Sequence, residues 1–79
     1  MIKFFTASWC TSCTNLKKTL GDEILDELEV IDADNEPDEV IAWNIRSIPT
    51  LIKIDEDGNE VSRRLGSMSL GEFKTWAYE

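Results

Sequence analysis

The hydrophobic period changes between the first two segments of the chain, and that change restricts what can follow. Residues 2–5, IKFF, form a short apolar run without helical spacing, which predicts a buried strand. From Thr11 onward Leu16, Leu20, Ile24 and Leu28 recur every four residues with Leu25 beside them, one face of an amphipathic helix. Gly21 interrupts that face, so a kink or break is expected there, with Asp22 placed to cap a second turn. Residues 30–34, VIDAD, read as another strand. Two strands joined through a helix pair in parallel by a right-handed crossover.

The remaining elements follow from local chemistry. Pro37 suits the first turn of a helix, where its missing N–H costs nothing, and Val40, Ile41, Trp43 and Ile45 supply apolar residues. Residues 50–54, TLIKI, form a third strand, and residues 55–60, DEDGNE, a turn in which Gly58 is free to take positive φ. Residues 60–65 return as a fourth strand, antiparallel to the third. Ser69 with Glu72 three residues on is a capping box, opening a last helix that contains Phe73, Trp76 and Ala77. The expected class is α/β, ordered β-α-β-α-β-β-α, with three helices flanking a four-stranded mixed sheet. The chain is read as one domain, residues 1–79, without repeats or linkers.

Composition narrows the partners. The net charge is −8, and an acidic protein repels phosphate backbones, so nucleic-acid binding is not expected. Ten acidic residues and no basic one fall within residues 22–39, which read as a solvated face or a partner-selecting patch. Lys17, Lys18 and Arg46 lie outside that block. No apolar run reaches the ~20 residues of a membrane span. Residues 1–5 lead straight into Thr6, Ala7 and Ser8, too short a run for a signal peptide. The expectation is a cytoplasmic monomer.

Residues 8–13 read SWCTSC, and Cys10 and Cys13 are the only cysteines; there is no histidine. Three chemistries fit such a pair: a redox couple, half of a metal site shared between chains, or a structural staple. Zinc takes four ligands, and one chain offers two thiolates. A disulfide across so short a loop removes little chain entropy. Placement favours redox chemistry. A helix starting at or just after Cys10 puts its sulfur where unpaired N–H groups and the positive end of the helix dipole converge, which stabilises thiolate. Cys13, one turn on, is close enough to attack a mixed disulfide formed at Cys10.

These residues resemble the thioredoxin superfamily: Trp9-Cys10-Thr11-Ser12-Cys13, then Asn44-Ile45-Arg46-Ser47-Ile48-Pro49-Thr50, then Leu65-Gly66-Ser67, in family order over nearly the whole chain. The resemblance implies a minimal thioredoxin fold and thiol–disulfide exchange, with Cys10 as nucleophile, Cys13 as resolving thiol, and Thr11 and Ser12 tuning the pair. It implies a cis bond between Ile48 and Pro49, facing the cysteines, where the backbone before the proline pairs with substrate. Gly66 and Ser67 line the same apolar groove and Trp9 flanks it. No bound cofactor is implied beyond the redox-active Cys10–Cys13 disulfide. The implied partners are protein disulfides, with ribonucleotide reductase one candidate client, and a thioredoxin reductase or glutathione as reductant.

Three departures qualify that picture. The first strand and helix of full-length thioredoxins have no counterpart before residue 1, a layout shared with glutaredoxins. Six residues before Cys10, where thioredoxins carry a buried carboxylate, stands Phe4. Gly66-Ser67-Met68-Ser69 lacks the residues with which glutaredoxins hold glutathione, which sets glutaredoxin-type activity second. A non-catalytic acidic interaction module is the third reading.

Overall fold

The computed structural model describes residues 1–79. They run β1 (Ile2–Thr6), α1 (Thr11–Glu27), β2 (Glu29–Asp32), α2 (Pro37–Ala42), β3 (Thr50–Ile54), β4 (Glu60–Leu65) and α3 (Leu70–Tyr78), in the order expected. The strands form one mixed sheet, β2-β1-β3-β4. β1 and β2 are parallel, in register from Lys3 opposite Glu29 to Thr6 opposite Asp32. β3 is antiparallel to both β1 and β4.

Side chains alternate across a strand, so the two adjacent phenylalanines of β1 serve two cores. Phe4 packs with Leu51 of β3, Leu16 and Leu20 of α1, Met68, and Phe73 of α3. Phe5, on the opposite face, packs with Ile31, Ile52 and Ile54, covered by Val40, Trp43, Ile45 and Ile48. Lys3 shares the Phe5 face. Its Nζ donates to Glu29 at 3.0 Å and Glu39 at 3.2 Å and lies 5.6 Å from the centre of the Trp43 ring. Two members of the acidic block are thereby fixed to the fold rather than free in solvent.

Some boundaries differ from the sequence reading. β2 is Glu29–Asp32, not residues 30–34. β1 ends at Thr6, whose carbonyl takes the Ala33 N–H at 2.8 Å. Asp32 Oδ1 then accepts the Asp34 N–H at 2.9 Å and bends the chain away. α2 stops at Ala42, so Ile45 reaches the core from the following loop, after Asn44 at φ 53; asparagine is among the residues that tolerate this left-handed region. Ile41 is exposed. Gly21, at φ 82 and ψ 163, does break α1 into two helical pieces, but the Asp22 side chain makes no capping hydrogen bond. The capping box is formed: Ser69 Oγ accepts the Glu72 N–H, and Glu72 Oε1 accepts the Ser69 N–H, both at 3.1 Å.

No helix is long and apolar enough to cross a membrane.

Candidate active site

β1 delivers the chain to the top of the sheet, and a tight turn passes it into α1. The Cys10 N–H closes that turn on the Ala7 carbonyl at 3.2 Å. Cys10 is the N-cap of α1, with extended backbone (φ −91, ψ 108), and its Sγ accepts the Cys13 N–H at 3.1 Å. The sulfur therefore does what a serine or aspartate oxygen does at other helix starts, satisfying one of the orphan donors of the first turn. No acidic residue occupies that turn, so nothing there opposes negative charge on the sulfur.

Cys10 and Cys13 are joined by a disulfide, their Cα atoms 5.2 Å apart. Their exposures differ in a useful sense: Cys10 retains 7% of its surface and Cys13 none. An incoming sulfur meets Cys10 first. Thr11 and Ser12, between them, are exposed.

The other residues named from the sequence converge on this pair to different degrees. Ile48 packs on the cluster of Ala7, Cys10 and Cys13. The Ile48–Pro49 bond is cis, and Pro49 is fully buried. The Gly66 N–H donates to the Pro49 carbonyl at 2.9 Å, which seats the end of β4 beside the proline. Gly66 has φ 80, a conformation that a side chain would strain. Ser67 is exposed and makes no side-chain hydrogen bond. Arg46 lies in the groove described next; Lys17 and Lys18 sit on the first half of α1, Lys18 exposed.

Trp9 is 67% exposed, yet its indole is not loose: Nε1 donates to Asp34 Oδ2 at 2.9 Å. Between Trp9 and Ile48 runs an open groove of about 320 Å³, walled by Ala33, Val40, Ile45 and Arg46. A larger depression of about 570 Å³ lies at the α1 kink beside Ile24, Leu70 and Tyr78, but no cysteine lines it. The groove walled by Ile48 is the better candidate, because Ile48 also packs on the Cys10–Cys13 cluster and Trp9, at its other side, directly precedes Cys10.

Sequence reading did not find Asp34, Ala33 or Val40. A signal for them existed. In a parallel β1–β2 pair, the residues leaving the two C-terminal ends must meet, and ligands gather outside those ends; Trp9 leaves β1 and Asp34 leaves β2. No group of three or more Cys, His, Asp or Glu is arranged to hold a metal ion.

The thioredoxin family profile matches residues 1–79. The chain belongs to the thioredoxin family. A thioredoxin from Halobacterium salinarum superimposes with a TM-score of 0.82 at 27% identity, over 96% of this chain and 69% of that one. Reduced thioredoxin pre-protein from Schistosoma mansoni gives a TM-score of 0.81 at 23% identity, over 98% of this chain and 74% of that one, a likeness of fold. Among curated proteins, the TPR repeat-containing thioredoxin TDX of Arabidopsis thaliana is 32% identical over 71 residues, 85% of this chain. The chain spans only 18% of that relative's length. Membership of the thioredoxin family, with a disulfide at the Cys-x-x-Cys motif, supports thiol–disulfide oxidoreductase chemistry.

Proposed function

We propose that this chain is a protein disulfide reductase, a single domain cycling between the Cys10–Cys13 dithiol and disulfide. The observation that carries the reading is the position of Cys10: its Sγ sits at the N-cap of α1, bonded by the Cys13 N–H, and it is the more exposed of the two cysteines. That site favours thiolate, the species that attacks disulfides.

In the first step Cys10 thiolate attacks one sulfur of a substrate disulfide. A bond forms to Cys10, and the other substrate sulfur leaves as thiolate and takes a proton from solvent. In the second, Cys13 loses its proton and attacks Cys10 Sγ; the Cys10–Cys13 bond forms and the second substrate sulfur departs. Two electrons have passed to the substrate. The groove between Trp9 and Ile48 receives apolar side chains of the client, Arg46 meets its acidic ones, and the backbone at Ile48 and Gly66 aligns the strand carrying the disulfide. Thr11 and Ser12 set the balance between dithiol and disulfide. A thioredoxin reductase or glutathione returns the electrons, the client is a protein such as ribonucleotide reductase, and the working state is a cytoplasmic monomer.

The first test is the redox equilibrium of the pair against defined thiol buffers, read by acid trapping. A reversible two-electron couple near or below about −230 mV supports a reductant. A value between about −180 and −120 mV marks an oxidant or isomerase instead. With insulin as the substrate disulfide, Cys10→Ser is expected to abolish turnover and Cys13→Ser to accumulate a mixed disulfide at Cys10. A Cys13→Ser protein that captures none removes the two-step scheme.

A further inference from the structure

Two threonines are buried in the sheet, and only one is satisfied. Thr50, fully buried, donates its hydroxyl to the Ser47 carbonyl at 2.6 Å. Thr6, 3% exposed, has an Oγ1 that no donor or acceptor reaches. Buried hydroxyls are nearly always hydrogen-bonded, so an orphan in a folded protein asks for an explanation.

Its place in the fold supplies one. Thr6 is two residues beyond Phe4 on β1, so alternation puts both side chains on the α1 face of the sheet. Phe4 packs against Leu16 and Leu20. α1 returns along β1 in the opposite sense, so moving up the strand from Phe4 to Thr6 means moving back along the helix from Leu16 to Cys13. The strand advances about 6.7 Å over two residues and the helix about 4.5 Å over three. Thr6 and Cys13 thus end the same buried row.

Cys13 is completely buried. Once the disulfide opens, its sulfur has no solvent to bond with and is free to turn about the Cα–Cβ bond. We propose that Thr6 is a positioning residue for the resolving thiol. Its hydroxyl, unpaired in the oxidised state, donates to Cys13 Sγ in the reduced state and, once that thiol loses its proton in the second step, holds the thiolate aimed at Cys10. The hydroxyl keeps its proton throughout. In resolution Cys13 thiolate forms the bond to Cys10 Sγ, and the substrate sulfur leaves with the electron pair of the broken bond.

The inference rests on the dithiol–disulfide cycle proposed above and has its own test. Thr6→Val keeps the shape and removes the hydroxyl. It relieves the oxidised state of an orphan and deprives the reduced state of a bond, so both effects favour the disulfide. The equilibrium constant for reduction in a defined thiol buffer is expected to fall about tenfold, a potential about 30 mV lower. Thr6→Ser, which restores the hydroxyl, should return to within about threefold of wild type, and Thr6→Ala provides a second hydroxyl-free variant if valine folds poorly. Equal equilibrium constants for wild type and both hydroxyl-free variants overturn the proposal: the hydroxyl is then equally orphaned in both states and Thr6 is only packing. A wild-type pair without any reversible couple is a different result, which defeats the proposed function itself.

Discussion

The Trp9 indole donates to Asp34 Oδ2 across the C-terminal ends of the parallel strands β1 and β2, at 2.9 Å, while most of the ring remains in solvent. A large exposed aromatic held by one hydrogen bond is a prepared contact surface, because the rotor entropy of the ring is spent before a partner arrives. Asp34 is itself fixed by its backbone bond to Asp32. Replacing Asp34 with alanine is expected to leave folding stability within about 0.5 kcal/mol, as for an exposed site. The Trp9 Nε1–H resonance should lose its exchange protection, and capture of insulin by the Cys13→Ser background should slow several-fold. An indole resonance unaltered by the substitution would show that the tie does not hold the ring.

Phe4 sits where α1, α3 and β3 meet and is fully buried. Truncating it leaves a cavity bounded by two helices and a sheet that cannot all close inward. Phe4→Ala is expected to cost about 3–5 kcal/mol, a large share of the roughly 4–12 kcal/mol typical for a domain this size. Urea unfolding of the oxidised protein measures it. A loss below about 1.5 kcal/mol would mean that the cluster around Phe4 is not the main core.

How much of this was readable beforehand depends on whether a feature is local. The strand at the start of the chain, the α1 stripe of Leu16, Leu20, Ile24 and Leu25 and the Ser69–Glu72 capping box each carry a periodic or positional signal within a few residues, and each is present in the structure, whereas Leu28, expected on the same stripe, is the extended residue that ends α1. The placement of Cys10 at a helix start was legible for the same reason. Contacts between distant segments were not. Lys3 finds Glu29 and Glu39, Trp9 finds Asp34, and Gly66 finds the Pro49 carbonyl, through sheet register that no single window contains. The acidic block illustrates the limit: its charge was plain, but which carboxylates had partners depended on β2 lying beside β1. The end of β2 was misplaced because strand length is decided by the neighbour, and β1 stops at Thr6.

Gly21 separates two kinds of glycine. Its φ of 82 and ψ of 163 lie in a region that is essentially glycine-only, although an added Cβ would meet nothing within 4 Å. Gly21→Ala is therefore expected to cost about 1–3 kcal/mol through backbone strain alone. Gly71, in the first turn of α3, has the same open space and no such φ. Gly71→Ala should stabilise by about 0.4–1 kcal/mol, chiefly by restricting the unfolded chain. Denaturant midpoints moving in opposite directions are the expected result; two shifts of the same sign would contradict the assignment of the α1 kink to Gly21.

The capping box makes a prediction with a definite pH sign. The Ser69 backbone N–H holds the Glu72 carboxyl below the usual glutamate range; the Ser69 side chain adds to this, partial desolvation opposes it, and Arg64 at 3.7 Å contributes a smaller electrostatic pull. A carboxyl whose folded pKa is lowered contributes stability that is present above its unfolded value and is lost as the pH falls through the folded one. Glu72 therefore supports α3 at neutral pH and ceases to do so under acid conditions. Ser69→Ala removes the hydroxyl that accepts the Glu72 N–H and should destabilise the protein by about 1 kcal/mol at neutral pH. It should also move the Glu72 titration, followed by carbon-13 carboxyl NMR, up toward the ordinary range. Glu72→Gln keeps an acceptor for the Ser69 N–H without the charge, so its stability deficit should shrink as the pH drops. A Glu72 carboxyl that titrates at its ordinary value in the wild-type protein would show that the reciprocal bonds seen at the start of α3 are not maintained in solution.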